Sequence, residues 1–263
     1  MSSILREIVA HKRREVQGRK ELYPPRLLEQ SIYFSTRSVS LKHYLLRPNQ
    51  AGVIAEIKRR SPSRGELNSH LSIEELSIGY MQSGASALSV LTDSKYFGGS
   101  VQDFTLARSF NFCPVLRKDF IIDEYQLIEA KAIGADVVLL LASVLTPGEC
   151  VRFSRLAKQL GLEILLEIDD RSHLETHLTD DIDLVGVNNR DLRTLKVNVE
   201  RSFCLAALVP PQFLKISESG IRQAETVHAL KQLGFVGFLV GELFMESSDP
   251  VQKCKQFIEG LKQ

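Results

Sequence analysis

From about residue 50 the chain alternates between two kinds of stretch. Polar amphipathic segments close on a small residue, usually glycine, and a short unbroken apolar run follows. The clearest copies are YMQSGASALSVLTD, AKAIGADVVLLLAS, AKQLGLEILLEIDD and LKQLGFVGFLVGEL. Gly84, Gly134, Gly161 and Gly234 stand where helices favour a left-handed C-terminal residue. The runs behind them carry Val, Ile and Leu at successive positions, as strands do when a parallel sheet is covered by helices on both faces. The pattern predicts strands over 53–58, 86–91, 114–118, 136–141, 162–167, 183–188, 213–217 and 235–240, with a last amphipathic stretch over 251–261.

Strand starts spaced roughly 20–35 residues apart have the size of a βα unit. Eight such units between residues 51 and 263 predict an α/β fold, a single (β/α)8 TIM barrel. A doubly wound open sheet is the structural rival, but no Gly-rich dinucleotide fingerprint follows an early strand. Before the barrel, Ile4, Leu5, Ile8, Val9 and Val16 recur near helical spacing with charges between them. Residues 1–50 are therefore expected to form a helical extension packed on the barrel, with a second helical piece around 27–30 or 41–46. No Gly- or Pro-rich linker separates the two parts, so one structural domain is expected.

Composition narrows the classes of function. The chain has 263 residues, 44% hydrophobic and 25% charged, with a formal net charge of +1. That balance offers no general electrostatic attraction to nucleic acid or to an anionic membrane. Nor does any run approach the roughly 18–20 apolar residues that span a bilayer. The N-terminus has no signal-peptide core, and Glu7 and Glu15 argue against a transit peptide, so a cytoplasmic protein is expected. Cys113, Cys150, Cys204 and Cys254 form no C-x-x-C pair and have no neighbouring histidine, which predicts reduced, mostly buried thiols and no metal site.

In a barrel the C-terminal ends of the strands form the active-site face. The polar residues that close the apolar runs are Glu56 and Lys58, Thr92 and Asp93, Lys118, Glu167, Asn188, Glu218, Ser219 and Gly220, and Gly241 and Glu242. Residues two apart share a face of a strand. Ile54, Glu56 and Lys58 therefore point one way; Leu116 shares its face with Lys118, Leu165 with Glu167, and Ile216 with Glu218. If those faces are inward, lysines and glutamates cap the barrel interior. Such a mixed cluster suits proton transfer, because each carboxylate helps keep a lysine charged and burial tunes both. The seventh and eighth ends, SESGI and LVGEL, place glycines where backbone N–H groups can approach a phosphate.

The segments VIAEIKRRSPSRG, LSVLTDSKYFGGS, PVLRKDFIIDEYQLIEAKAIGADVVLLL, LLEID, GVNNRDLRTLKV, ISESGI and FLVGELFM together resemble the indole-3-glycerol-phosphate synthase family, in the family's order and over nearly the whole chain. The resemblance implies a carbon–carbon lyase of tryptophan biosynthesis without cofactor or metal. Its substrate would be 1-(2-carboxyphenylamino)-1-deoxyribulose 5-phosphate, closed to indole-3-glycerol phosphate with loss of carbon dioxide and water. It implies that Lys118 is the general acid at the ketone and that Glu167 and Glu56 are acid/base carboxylates. Lys58 would hold anionic groups of the substrate. Asn188, Glu218 and Ser219 would support the chemistry. Phe97 and Phe120 would lie beside the anthranilate ring, with Ser61, Arg190, Leu192 and Leu239 on the substrate and the backbone of Gly220, Gly241 and Glu242 on the phosphate. Leu243 departs from the family, which more often has a small polar residue there.

Two other functions are open to the sequence. Phosphoribosylanthranilate isomerase is expected to carry a cysteine at the end of its first strand, where this chain has Glu56 and Lys58. A non-catalytic phosphate-binding barrel would be expected to lack one of the lysines or glutamates. The only partner expected is a small phosphorylated substrate, with no nucleic acid or membrane, and a monomer is favoured over an oligomer.

Overall fold

Each apolar run forms a strand where the pattern predicts one. The computed structural model describes residues 3–48, 50–68 and 70–262. The strands are β1 (Val53–Ile57), β2 (Ala87–Leu91), β3 (Val115–Lys118), β4 (Val137–Leu141), β5 (Glu163–Ile168), β6 (Leu184–Asn188), β7 (Leu214–Glu218) and β8 (Phe235–Val240). All pair in parallel with their sequence neighbours, and β8 pairs with β1 to close the barrel. Parallel strands require crossover helices. Most of those helices begin on residues whose side chains satisfy first-turn N–H groups, as Thr146 does in a capping box with Glu149. Four of them end ahead of Gly84, Gly134, Gly161 and Gly234, all at positive φ.

The alternation sorts the core into two layers. Ile54, Leu116, Leu165 and Ile216 belong to an inner cluster that fills the barrel. Val53, Ala55, Ile57, Val115 and Ile164 face the other way and pack in the cluster beneath the helices. The faces carrying Glu56, Lys118, Glu167 and Glu218 therefore point inward.

Three helices precede the barrel: α1 (Ser3–Leu22), α2 (Pro25–Leu28) and α3 (Leu41–Leu45). Both positions expected for a second helical piece are thus helical. Helix α1 lies along the strand ends of the active-site face, where Ile4, Leu5 and Ile8 border the central cavity. The chain then crosses to the opposite end of the barrel. There Val39 N donates to Asp136 and Leu41 N to Glu163, both at 2.7 Å, and Leu41 and Leu45 join the inner cluster.

Structure not expected from the pattern lies mainly in the loops. After β1, Arg60–Ser61 pairs antiparallel with Gly65–Glu66, turning the expected loop into a small hairpin. A one-turn helix, α4 (Ser94–Phe97), follows β2. Among the described residues, no helix is long and apolar enough to cross a membrane. The four cysteines are free thiols; Cys113, Cys150 and Cys254 are buried and Cys204 is exposed.

Candidate active site

The inward residues at the strand ends meet at the mouth of the barrel. Lys118 ends β3, and its Nζ donates to Glu167 Oε2 at 3.0 Å and to Glu218 Oε2. Asn188 Nδ2 donates to the other oxygen of Glu167 at 2.8 Å. The orientation of that amide is set by Arg190 N, which donates to Asn188 Oδ1 at 2.9 Å. Across the mouth, Lys58 donates to Glu56 at 2.7 Å. Glu56, Glu167 and Glu218 are buried, and the two lysine side chains are only 12–13% exposed.

Apolar walls enclose one side of this polar floor. Phe97 and Phe120 face each other with ring centroids 6.0 Å apart and planes tilted by 40°. Ile4, Leu5 and Ile8 of α1 lie on the same cavity, together with Ser61, Leu192 and Leu239.

An adjoining recess lies towards β7 and β8. It shares Glu56, Lys58, Arg190 and Ser219 with the main cavity and adds the backbone of Gly220 and Gly241. Ser219 and Gly220 both sit at positive φ, 67° and 76°. For Ser219 this is a costly conformation of a kind concentrated at functional sites, and Asn189 Nδ2 holds its carbonyl at 3.0 Å. At the recess, helix α5 (Glu242–Met245) presents first-turn N–H groups that have no partner within the helix. Leu243 lies on the recess and offers no hydroxyl.

Every site residue expected from the sequence lines one of these two cavities. Thr92 and Asp93 correct the expectation that all polar strand ends reach the rim. Both are buried behind the cavity, where Thr92 Oγ1 donates to Asp119 at 2.6 Å. Arg64 and Arg222 were missed. Both line the recess, where Glu242 lies 2.8 Å from Arg190, 3.4 Å from Arg64 and 3.7 Å from Arg222. Arg222 stands two residues beyond Gly220, and Arg64 sits within SPSRG, so the sequence placed both close to the phosphate-type turns. Asp169, Asp170 and His173 approach one another closely enough to hold a cation. His173 Nδ1, however, already meets Asp169 at 2.5 Å.

Comparison with known proteins gives this arrangement its family. A family profile described as indole-3-glycerol phosphate synthase matches residues 5–257. An indole-3-glycerol phosphate synthase of Bacteroides thetaiotaomicron is 44% identical over 262 residues, covering 100% of both chains. One from Carboxydothermus hydrogenoformans is 40% identical, covering 94% of this chain and 96% of the relative. The chain belongs to the indole-3-glycerol phosphate synthase family. Solved structures share the fold at low identity. A 3-hexulose-6-phosphate synthase from Salmonella typhimurium matches with TM-score 0.63 and 16% identity over 81% of this chain and 99% of that one. A tryptophan synthase subunit alpha from Legionella pneumophila matches with TM-score 0.61 and 15% identity over 85% and 97%.

In this indole-3-glycerol phosphate synthase family member the cluster separates its protonation states. Burial alone would pull the Lys118 pKa down, but Glu218, Glu167 and Glu56 outweigh it and hold the ammonium above the ordinary lysine range. Burial alone would raise Glu56, yet Lys58 and Lys118 keep it below the usual carboxylate range. At Glu218 burial prevails: with the charges of Glu167 and Glu56 it pushes the carboxyl up to about 8 against the attraction of Lys118. Glu218 Oε1 is buried and has no hydrogen-bond partner among the described residues. Unlike protonation in neighbouring carboxyl groups is the usual means of dividing acid and base roles.

Proposed function

We propose that this cavity closes 1-(2-carboxyphenylamino)-1-deoxyribulose 5-phosphate to indole-3-glycerol phosphate, with loss of carbon dioxide and water, as a lyase of tryptophan biosynthesis. The observation that carries the reading is the Lys118 ammonium, fixed between Glu167 and Glu218 beside an aromatic wall and a cationic recess. In this reading the aryl ring lies against Phe97 and Phe120, and the phosphate enters the recess. Lys58, Arg64, Arg190 and Arg222 face Glu56 and Glu242 there, an excess of two positive charges. A phosphate monoester carries about −1.5 to −2 at neutral pH. The N–H groups of Gly220, Gly241 and Glu242 complete the anion site without a hydroxyl at position 243.

The chemistry runs in three steps. The ring carbon bearing the carboxylate attacks the ketone carbon, and Lys118 delivers a proton to the developing alkoxide. A positioned ammonium stabilises that charge in a partly dry site. Loss of carbon dioxide returns its bonding pair to the ring and restores aromaticity. The hydroxyl then leaves as water with a proton from an acid, while a base removes a proton from the neighbouring carbon to form the indole double bond. Glu56, ionised and paired with Lys58, suits the base; Glu218, holding its proton, suits the acid. Glu167 and Asn188 position Lys118, and Glu167 serves in acid/base exchange with it. We further take the working form to be a cytoplasmic monomer, a reading supported by the ordinary charge balance and by the completeness of the site within one chain.

The test is purified protein with the carboxyphenylamino substrate, followed by indole fluorescence. Turnover that survives Lys118→Met would overturn the mechanism.

A further inference from the structure

Helix α1 carries a lysine where its apolar stripe calls for another aliphatic side chain. Leu5, Ile8, Val9 and Val16 are buried, and Lys12, on the same stripe, is 1% exposed. Its ammonium lies 2.9 Å from Asp119 Oδ1, 3.0 Å from Asp93 Oδ2 and 2.9 Å from Glu15 Oε2. One ammonium thus pairs with three carboxylates, and the contact to Asp93 is an ion pair without a hydrogen bond. Burial alone would lower its pKa, but Asp119, Asp93 and Glu15 outweigh it and keep the group charged.

The two aspartates each hold the backbone of an aromatic wall. Asp93 Oδ1 accepts from Tyr96 N at 2.8 Å, capping the short helix that ends in Phe97. Asp119 Oδ1 accepts from Phe120 N at 2.8 Å, while its Oδ2 accepts from Thr92 and Arg117. Among the described residues, Lys12 is therefore the one ion-pair partner shared by both supports. It does not itself line the cavity bounded by Phe97 and Phe120.

A structural staple is a poor account of this arrangement. Helix α1 has other attachments, including Arg19 to Glu129 at 2.5 Å and Lys20 to Asp123 at 2.7 Å. A buried charge cluster is often no more stabilising than well-packed apolar residues in its place. What an ammonium adds over a leucine is a fixed geometry between its acceptors.

We propose that Lys12 is a positioning residue: by holding Asp93 and Asp119 on one ammonium it sets the spacing and tilt of Phe97 and Phe120, and so the fit of the substrate's aryl ring. The proposal rests on the reading of this pair as the aryl wall. It gives the helical extension a function in the reaction beyond covering the barrel.

The test compares Lys12→Met, Asp93→Asn and Phe97→Leu in the full chain. KM and kcat are measured with the substrate, and inhibition constants with anthranilate and with inorganic phosphate as separate probes of the two ends of the site. Circular dichroism checks folding. Lys12→Met is expected to raise KM and the anthranilate constant about tenfold, with the phosphate constant moving less than about twofold. General loosening of the barrel would move both probes together. Asp93→Asn keeps an oxygen to cap the helix and leaves Lys12 two carboxylates, so it reads the same effect, smaller, even where Lys12→Met does not fold. If Phe97→Leu leaves anthranilate binding unchanged, the aryl-wall reading falls and the proposal with it. If Phe97→Leu weakens anthranilate binding while the position 12 and 93 variants leave it unchanged, or weaken both probes equally, the proposal alone is overturned.

Discussion

The Glu218 carboxyl occupies the space that a side chain on Gly186 would fill: a Cβ built there would lie 2.1 Å from Glu218 Oε1. The two residues face inward from adjacent strands, with Gly186 in register with Ile216 on one side and Glu167 on the other. Absence of a side chain on β6 is thus what lets the carboxyl reach Lys118. Gly186→Ala is expected to displace Glu218, lowering kcat by about a hundredfold, the scale on which misplaced catalytic groups lose rate. Overpacking would cost about 1–3 kcal/mol of stability. Steady-state kinetics with a denaturation curve checks both; an unchanged kcat would show that the carboxyl position does not matter.

Lys118→Met should lose turnover by two to four orders of magnitude, about the range for removing a proton donor that also stabilises an oxyanion. The fold should survive, because the side chain lies at the cavity floor and the inner apolar cluster beneath it is untouched. Rapid mixing with the substrate would show binding without fluorescence from indole product.

Glu218 predicts a stability effect whose sign follows from its raised pKa. Its carboxyl holds a proton up to about pH 8 in the folded chain, whereas its ordinary value is 4.5. Between those values the folded state binds the extra proton, so stability falls as pH rises. Glu218→Gln carries no such proton. Its thermal midpoint should gain on the parent from about pH 5 to pH 8 and keep a constant advantage above that. A midpoint difference independent of pH would refute the raised pKa. The same proton predicts that kcat/KM of the parent declines above about pH 8, if the protonated form is the acid.

The three arginines of the recess should divide by exposure. Arg190 has a side chain 17% exposed and a 2.8 Å contact to Glu242. Arg64 and Arg222 are 52% and 47% exposed. Arg190→Ala is expected to raise KM at least about tenfold, and the other two alanine variants only a few-fold, because exposed charges are screened. All three should weaken inhibition by inorganic phosphate, and added salt should shrink the effects at Arg64 and Arg222 most.

The barrel was legible because its signals are local and repeated. A strand buried on both faces must be apolar at successive positions, and a helix that turns back onto the sheet needs a residue tolerant of positive φ at its end. The first demand recurs eight times and the second four, so the eight runs and Gly84, Gly134, Gly161 and Gly234 announced the architecture. The two-residue period put Glu56, Lys118, Glu167 and Glu218 on the faces of Ile54, Leu116, Leu165 and Ile216, and the inner cluster of the closed barrel turns those faces inward.

Lys12 was harder to find. Its position in the stripe of Leu5, Ile8, Val9 and Val16 was a usable signal, since a lysine on a buried face needs partners. Nothing local, however, names those partners: Asp93 and Asp119 lie more than eighty residues away and come near only when β2 and β3 lie side by side. Arg64 and Arg222 escaped notice for the same reason, each being an ordinary surface residue until the β1 hairpin and the β7 loop meet over Glu242.

Local periodicity and turn chemistry are short-range properties of the backbone, so the order of residues was enough to specify the strands, the glycine-marked helix ends and the residues that share a face with each charge. Protonation and fit depend on what closes around a group. Only the closed barrel placed Glu218 against Gly186 and Lys118, made Glu56 and Glu218 hold protons differently, and brought Lys12 beneath the aromatic wall, because burial and charge act through space between residues far apart in the chain.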